Sequence, residues 1–193
     1  MLLSLASSER LKDLPEVRAQ MREQLEQIQQ RLARELNRAR LAGDALPGAQ
    51  FDCDAELPGL LGTLGMIHGE GLQLASDVPP GLLLPWDRED FLELLGNLLD
   101  NACKWADSEV RLGIAPSGEG YRLWVDDDGP GIPEGRRQQV LERGSRLDEQ
   151  VDGHGLGLGI VRDIVEAWGG RLALLESPLG GLRVSIDLPR KAR

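Results

Sequence analysis

Seven apolar residues, Val17, Met21, Leu25, Ile28, Leu32, Leu36 and Ala39, recur in steps of three or four, separated mainly by Gln, Glu and Arg. That spacing places them on one stripe and predicts an amphipathic helix. Pro15 and Glu16 suit its first turn, and Gly43 followed by Pro47-Gly48 ends it. A stripe with no sheet of its own to cover it calls for a partner. The helix either packs on its own domain or forms half of a helical hairpin in a dimeric bundle. The linker that follows detaches it from the rest of the chain and favours the bundle.

Beyond Phe51 the period switches repeatedly. Asp54 can cap a helix to about His68, with Gly69 and Gly71 behind it. Leu72 to Val78 alternates as a strand, and Leu82 to Leu84 forms a short second one. Asp87 opens a strong helix to about Ala106, whose buried side is Phe91, Leu94, Leu95, Leu98, Leu99 and Ala102. Strands over 110–115 and 121–125 follow, joined by a turn over 116–120. A loop-rich stretch over 126–156 holds a short helix near 134–142. A helix over 158–168 and strands over 171–176 and 182–188 complete the pattern. The order predicts an α+β sandwich of two layers, a mixed sheet covered on one face by helices, with residues 1–46 as a separate helical segment and linker.

Composition sharpens this division. The chain has 193 residues and a formal net charge of -10, but residues 1–50 carry +1 and residues 51–193 carry -11. An acidic domain argues against binding bare nucleic acid. Hydrophobic residues at 41% and charged ones at 28% fit a folded globular chain. Aromatics at 4% leave the core to Leu, Val, Ile and Ala. No apolar run approaches the roughly 18 residues of a membrane span, and Met1 to Leu5 reads as no signal peptide. Cys53, Cys103, His68 and His154 show neither a disulfide framework nor metal-ligand spacing.

Three segments carry candidate chemistry. Glu93, Asn97, Asn101 and Lys104 share one face of the helix from Asp87. Asparagines are mildly unfavourable in a helix interior, so the face is either merely solvated or able to hold a hydrated magnesium ion and a phosphate chain. Asp126-Asp127-Asp128-Gly129-Pro130-Gly131-Ile132 leaves a strand with three consecutive carboxylates. One of them could accept from an exocyclic amine such as adenine's, or the segment could be a calcium-type or solvated turn. Gly153-His154-Gly155-Leu156-Gly157-Leu158-Gly159 runs into a helix, and its exposed N–H groups suit an anion. It is neither a Walker loop nor a Rossmann fingerprint.

In this order the three segments resemble the ATP-binding domain of sensor histidine kinases, within the gyrase, Hsp90, histidine kinase and MutL superfamily. Gly96 to Trp105 resembles the N box, Asp127 to Gly131 the G1 box and Gly153 to Leu158 the G2 box. The ending from Gly180-Gly181 to Pro189 also agrees, and the likeness covers residues 51–189. Residues 16–42 resemble the second helix of the dimerisation and phosphotransfer hairpin. Asn101-Ala102-Cys103-Lys104 and Glu142-Arg143-Gly144-Ser145-Arg146 look most like PhoQ-type kinases. The resemblance implies a Bergerat ATP-binding fold with a mostly antiparallel sheet over residues 47–193.

It also implies cofactors, partners and roles. Asn101 would ligate Mg2+, with Asn97 supporting it, and Lys104 would contact phosphate. Trp105 would lie against adenine, Asp127 would accept from the adenine amine, and Gly129, Gly131 and Ile132 would admit the ring. Residues 134–156 would form the ATP lid, with Arg143 and Arg146 facing phosphate charge and Gly153, His154, Gly155, Leu156, Gly157 and Leu158 near it. ATP and ADP, a response-regulator receiver domain and a second copy of the chain are the implied partners. The implied location is the cytoplasmic part of a bacterial inner-membrane kinase, held to the membrane by segments absent here.

Two departures stand out. Gln150-Val151-Asp152 occupies a stretch where such kinases often place a basic lid residue. No H box is present, since His68 and His154 are the only histidines and neither lies in a dimerisation helix. His68 reads as a surface residue, and His154 as a lid residue near the nucleotide. The chain would therefore bind nucleotide without phosphorylating itself on the usual histidine. A related ATPase or serine kinase, with Glu93 activating water, and a nucleotide-responsive scaffold are the alternative readings.

Overall fold

The computed structural model of the chain describes residues 50–69, 71–118, 120–143 and 157–190. The helix expected over 16–42 lies outside the described residues, as do Arg146, Gly153, His154, Gly155 and Leu156.

The described residues form seven strands and four helices: β1 (Phe51–Asp52), α1 (Cys53–His68), β2 (Gln73–Asp77), β3 (Leu83–Leu84), α2 (Arg88–Trp105), β4 (Glu109–Ser117), β5 (Gly120–Asp127), α3 (Glu134–Arg143), α4 (Gly157–Ala167), β6 (Arg171–Glu176) and β7 (Leu182–Pro189). Five strands form one sheet in the order β2-β4-β5-β7-β6, and β1 pairs with β3 separately. Only β2 and β4 run parallel within the large sheet. The chain between them contains α2, the crossover that parallel neighbours require.

Period-two alternation sorts the sheet into two faces. Val110, Leu112, Ile114, Leu123, Val125, Val184, Ile186 and Leu188 are buried on one face, while Arg111, Arg122, Arg183 and Asp187 belong to the other. The apolar face receives α2 and α4, which also pack on each other. Leu94, Leu95, Leu98 and Leu99 of α2 are fully buried there. Each contributes about 1.5–3 kcal/mol of burial, so this seam fixes where α2 lies on the sheet. The aromatics are few but not dispersed. Phe51, Trp86, Phe91 and Trp168 stack within 6 Å of one another in pairs, and Tyr121 meets Trp86 edge-on. One end of the core is therefore aromatic and not aliphatic.

Local chemistry sets the ends. Asp87 caps α2 by accepting from the N–H groups of Glu89 and Asp90. The cap of α1 is Asp52, two residues earlier than the expected Asp54, and it accepts from the N–H groups of Asp54 and Ala55. Asp54 instead accepts from the Gly81 N–H across the β2–β3 loop. The β4–β5 turn is also tighter than a five-residue turn over 116–120. Ser117 pairs with Gly120, leaving a two-residue connection that starts at Gly118 with φ +58°. Pro116 is thus a strand residue. It lies beyond Gly113, the last β4 position paired with β2, where its missing N–H deprives no neighbour.

Candidate nucleotide-binding site

Three segments far apart in sequence meet where β5 ends. A Cβ on Gly129 would stand 2.0 Å from the Trp105 carbonyl oxygen, so the turn after β5 touches the last residue of α2. A Cβ on Gly181 would stand 2.2 Å from Asp127 Oδ1, so the residue that leads into β7 touches the carboxylate at the end of β5. Gly131, with φ +65°, faces the Gly181 carbonyl. Glycine is needed at these positions because backbone approaches backbone there.

The three consecutive carboxylates go three ways. Asp126, 1% exposed, lies on the outer face of the sheet and takes a bidentate pair from Arg183 at 2.7 Å on both oxygens. Asp128 turns back to the α2–β4 connection. It accepts from the N–H groups of Asp107, Ser108 and Glu109 and from the Ser108 hydroxyl, which hold its carboxyl well below the usual range. Asp127, 3% exposed, stays on the inner side, where its Oδ1 accepts at 3.0 Å from both Gly129 N–H and Leu182 N–H. Burial raises its carboxyl above the ordinary range, those two N–H groups oppose the rise, and the charges of Asp128 and Asp126 add to it. Its Oδ2 takes no donor among the described residues. Asp127 is thus a buried, oriented acceptor.

The polar face of α2 continues from this point. The Asn97 amide donates to the Glu93 carbonyl at 2.8 Å, an in-helix bond that absorbs its N–H competition. Asn101 is half-buried. Lys104 pairs with Asp100 at 2.6 Å. Asp100 also takes His68 at 3.0 Å, so His68 is a tethered side chain, 14% exposed, and not the solvated surface residue expected from its place before Gly69. Among the described residues no cluster of three or more His, Cys, Asp or Glu could hold a metal ion. A divalent ion on this face would draw on amide oxygens, water and ligand phosphates, the hard-oxygen set that magnesium prefers.

Gly157 and Leu158 form the first turn of α4, whose N–H groups are unpaired within the helix and suit an anion. Arg143 is the last residue of α3, with its side chain outside the described residues. Arg162 of α4 donates to the Leu141 carbonyl at the end of α3 and so joins the two helices. Trp105, Asp127, Gly129, Gly131 and the Asn97–Lys104 face therefore gather at one end of the sandwich, a strand's length from a groove of about 830 Å3 lined by Tyr121, Arg122, Arg171 and Asp187. Arg122 is already neutralised there by Asp187. The buried acceptor, Asp127, lies at the first location.

Sequence reasoning missed Gly181 and Leu182 as part of the site. Gly180-Gly181 was visible as an ending, but a backbone N–H reaching Asp127 across 55 positions leaves no mark in side-chain identity.

Residues 86–192 match the family described as histidine kinase-, DNA gyrase B- and HSP90-like ATPase. The chain belongs to that family, and its domain is of the ATP-binding histidine kinase type. It is 69% identical over 189 residues to the sensor protein kinase CarS of Pseudomonas aeruginosa, covering 97% of this chain and 42% of that one. It is 34% identical over 173 residues to the sensor protein PhoQ of Escherichia coli K12, covering 89% and 36%. The solved mycobacterial sensor histidine kinase MprB superposes with a TM-score of 0.63 at 27% identity, over 75% of this chain and 98% of that one. The chain thus spans about two fifths of the length of the curated relatives it matches. Among the described residues no helix is long and apolar enough to cross a membrane.

Proposed function

We propose that this domain binds Mg-ATP and donates its γ-phosphoryl group to a histidine on a dimerisation helix, for relay to a response-regulator aspartate. The observation that carries the reading is Asp127, buried at the end of β5 with Oδ1 fixed by two N–H groups and Oδ2 left for the adenine amine. Trp105 would flank the ring, and Gly129, Gly131 and Ile132 would let it approach. Bound ATP supplies the transferred group, and its magnesium neutralises the phosphate oxygens. Asn101 would offer an amide oxygen to that ion, with Asn97 and Glu93 extending the polar face. Lys104 would neutralise phosphate. Backbone N–H groups of Gly157 and Leu158 at the start of α4, together with Gly153, His154, Gly155 and Leu156 before them in the chain, would receive the chain of phosphates, and Arg143 and Arg146 would neutralise its charge.

Little covalent chemistry falls to these residues; their work is positioning and charge neutralisation. Residues 1–46 would supply part of the dimerisation helix and linker, and residues 47–193 the catalytic domain. The intact protein would be a homodimeric inner-membrane kinase with this portion in the cytoplasm. The test is transfer of labelled γ-phosphoryl from ATP to a separately supplied H-box hairpin. The loss expected in Asp127→Asn is about tenfold or more, the worth of one buried polar contact. Equal transfer by the chain and the variant, or by neither, contradicts the reading.

A further inference from the structure

Asp100 carries two donors on one carboxylate. Lys104 Nζ, one helical turn on, lies 2.6 Å from Oδ2, and His68 Nε2 lies 3.0 Å from Oδ1. A carboxylate oxygen only accepts, so the Nε2 atom bonding to it carries the proton. The three side chains differ in freedom: His68 is 14% exposed, against 39% for Asp100 and 37% for Lys104. His68 is also the last residue of α1, fixed by Gly69 behind it, which turns the chain with φ +95° and bonds back to the Gly65 carbonyl. The histidine is therefore the anchored member of the trio and the lysine the member free to swing.

Lys104 is the cation assigned above to phosphate, and the inference rests on that reading. In this structure its ammonium is committed to Asp100. To reach a phosphate it must leave a carboxylate, which would then stand, one residue from Asn101, beside a polyanion. Like charges so close repel. A carboxylate that keeps a hydrogen bond from His68 loses less when the ammonium departs, and its Oδ1 stays turned toward α1. We propose that His68 is a positioning residue for the nucleotide phosphates, holding Asp100 so that Lys104 can pass from carboxylate to phosphate.

The test measures affinity for Mg-AMPPNP and for adenosine, which has no phosphate, by calorimetry. It uses the chain, His68→Ala, His68→Gln, Asp100→Asn and the His68→Ala/Asp100→Asn double variant, with thermal unfolding of each. His68→Ala is expected to weaken Mg-AMPPNP by roughly three- to fivefold, the scale of a partly exposed ion pair, and to leave adenosine unchanged. His68→Gln retains an N–H donor and is expected to restore the affinity. With Asp100→Asn there is no carboxylate to hold, so His68→Ala should then have no effect. Asp100→Asn alone should tighten Mg-AMPPNP by roughly two- to fivefold, a check that stands even if His68→Ala fails to fold.

Several results overturn the proposal: unchanged Mg-AMPPNP affinity in His68→Ala, equal weakening of adenosine, a loss that persists beside Asp100→Asn, no rescue by glutamine, or weaker binding in Asp100→Asn. Failure of the unaltered chain to bind either ligand sinks the nucleotide reading itself, and this inference with it.

Discussion

Replacing Gly181 by alanine tests whether the start of β7 holds the Asp127 carboxylate in place. The added Cβ would lie 2.2 Å from Asp127 Oδ1, 2.6 Å from the Asp127 carbonyl and 2.6 Å from Gly129 N. Two of those atoms are backbone and cannot rotate aside. The carboxylate can, but only by giving up the N–H groups of Leu182 and Gly129. Overpacking of this kind costs about 1–3 kcal/mol. The more restricted unfolded chain returns about 0.4–1 kcal/mol, which leaves a net destabilisation of about 1–2 kcal/mol. A displaced acceptor also loses its bond to the ligand, about 1–3 kcal/mol, or roughly 5- to 150-fold in ADP affinity. Urea unfolding reads the first quantity and calorimetric titration of ADP the second. Unchanged affinity together with unchanged stability in Gly181→Ala would mean that Gly181 does not hold the Asp127 carboxylate.

Two further substitutions check the packing and the acidic turn. Gly62 lies in the exposed interior of α1 with nothing within 4 Å of a Cβ, so Gly62→Ala is expected to stabilise the domain by about 0.5–1 kcal/mol in urea unfolding, and a loss would contradict this. Asp128→Ala removes the acceptor of four hydrogen bonds at the α2–β4 connection and should lose about 1–2 kcal/mol near neutral pH. Because the fold depresses the pKa of Asp128, its stabilisation is present above the ordinary carboxylate range and lost as pH falls through the folded value. The gap between variant and parent should therefore narrow from about pH 5 to about pH 2, and a constant gap would argue against the assignment.

Much of this molecule is legible in its residues because the elements obey simple periods. The apolar side of α2, Phe91 to Ala102, could be read from helical spacing, and all six of its residues are buried. The strands of the hairpin and of the C-terminal pair follow from alternation. What resisted reading depends on contacts distant in sequence. Three adjacent carboxylates look like one acidic turn, yet Asp126, Asp127 and Asp128 take their partners from β7 and from the α2–β4 connection, across 57, 55 and about 20 positions. His68 looks solvated until Asp100 is placed beside it. The scarce aromatics look incidental to the core until Phe51, Trp86, Phe91 and Trp168 meet at one end. The short connection at Gly118 was obscured because Pro116 reads as a turn residue, and only the shorter reach of β2 explains how it can extend a strand.

Asp127 is a buried carboxylate whose burial works against its charge, as expected of a group kept for a ligand at some expense to the fold. Its folded pKa is raised, chiefly by burial, so the protonated form is the one that folding favours, and its contribution to stability is lost as pH rises through that value. Near pH 7 an asparagine in its place should therefore be no less stable. The decisive measurement is a calorimetric titration of ADP and a non-hydrolysable ATP analogue, with and without magnesium, on the chain and on Asp127→Asn, beside thermal unfolding of both. One-site, magnesium-dependent binding is expected, falling at least about tenfold in a variant of equal or higher stability. Undiminished binding in Asp127→Asn, or a folded chain that binds neither nucleotide, would contradict this.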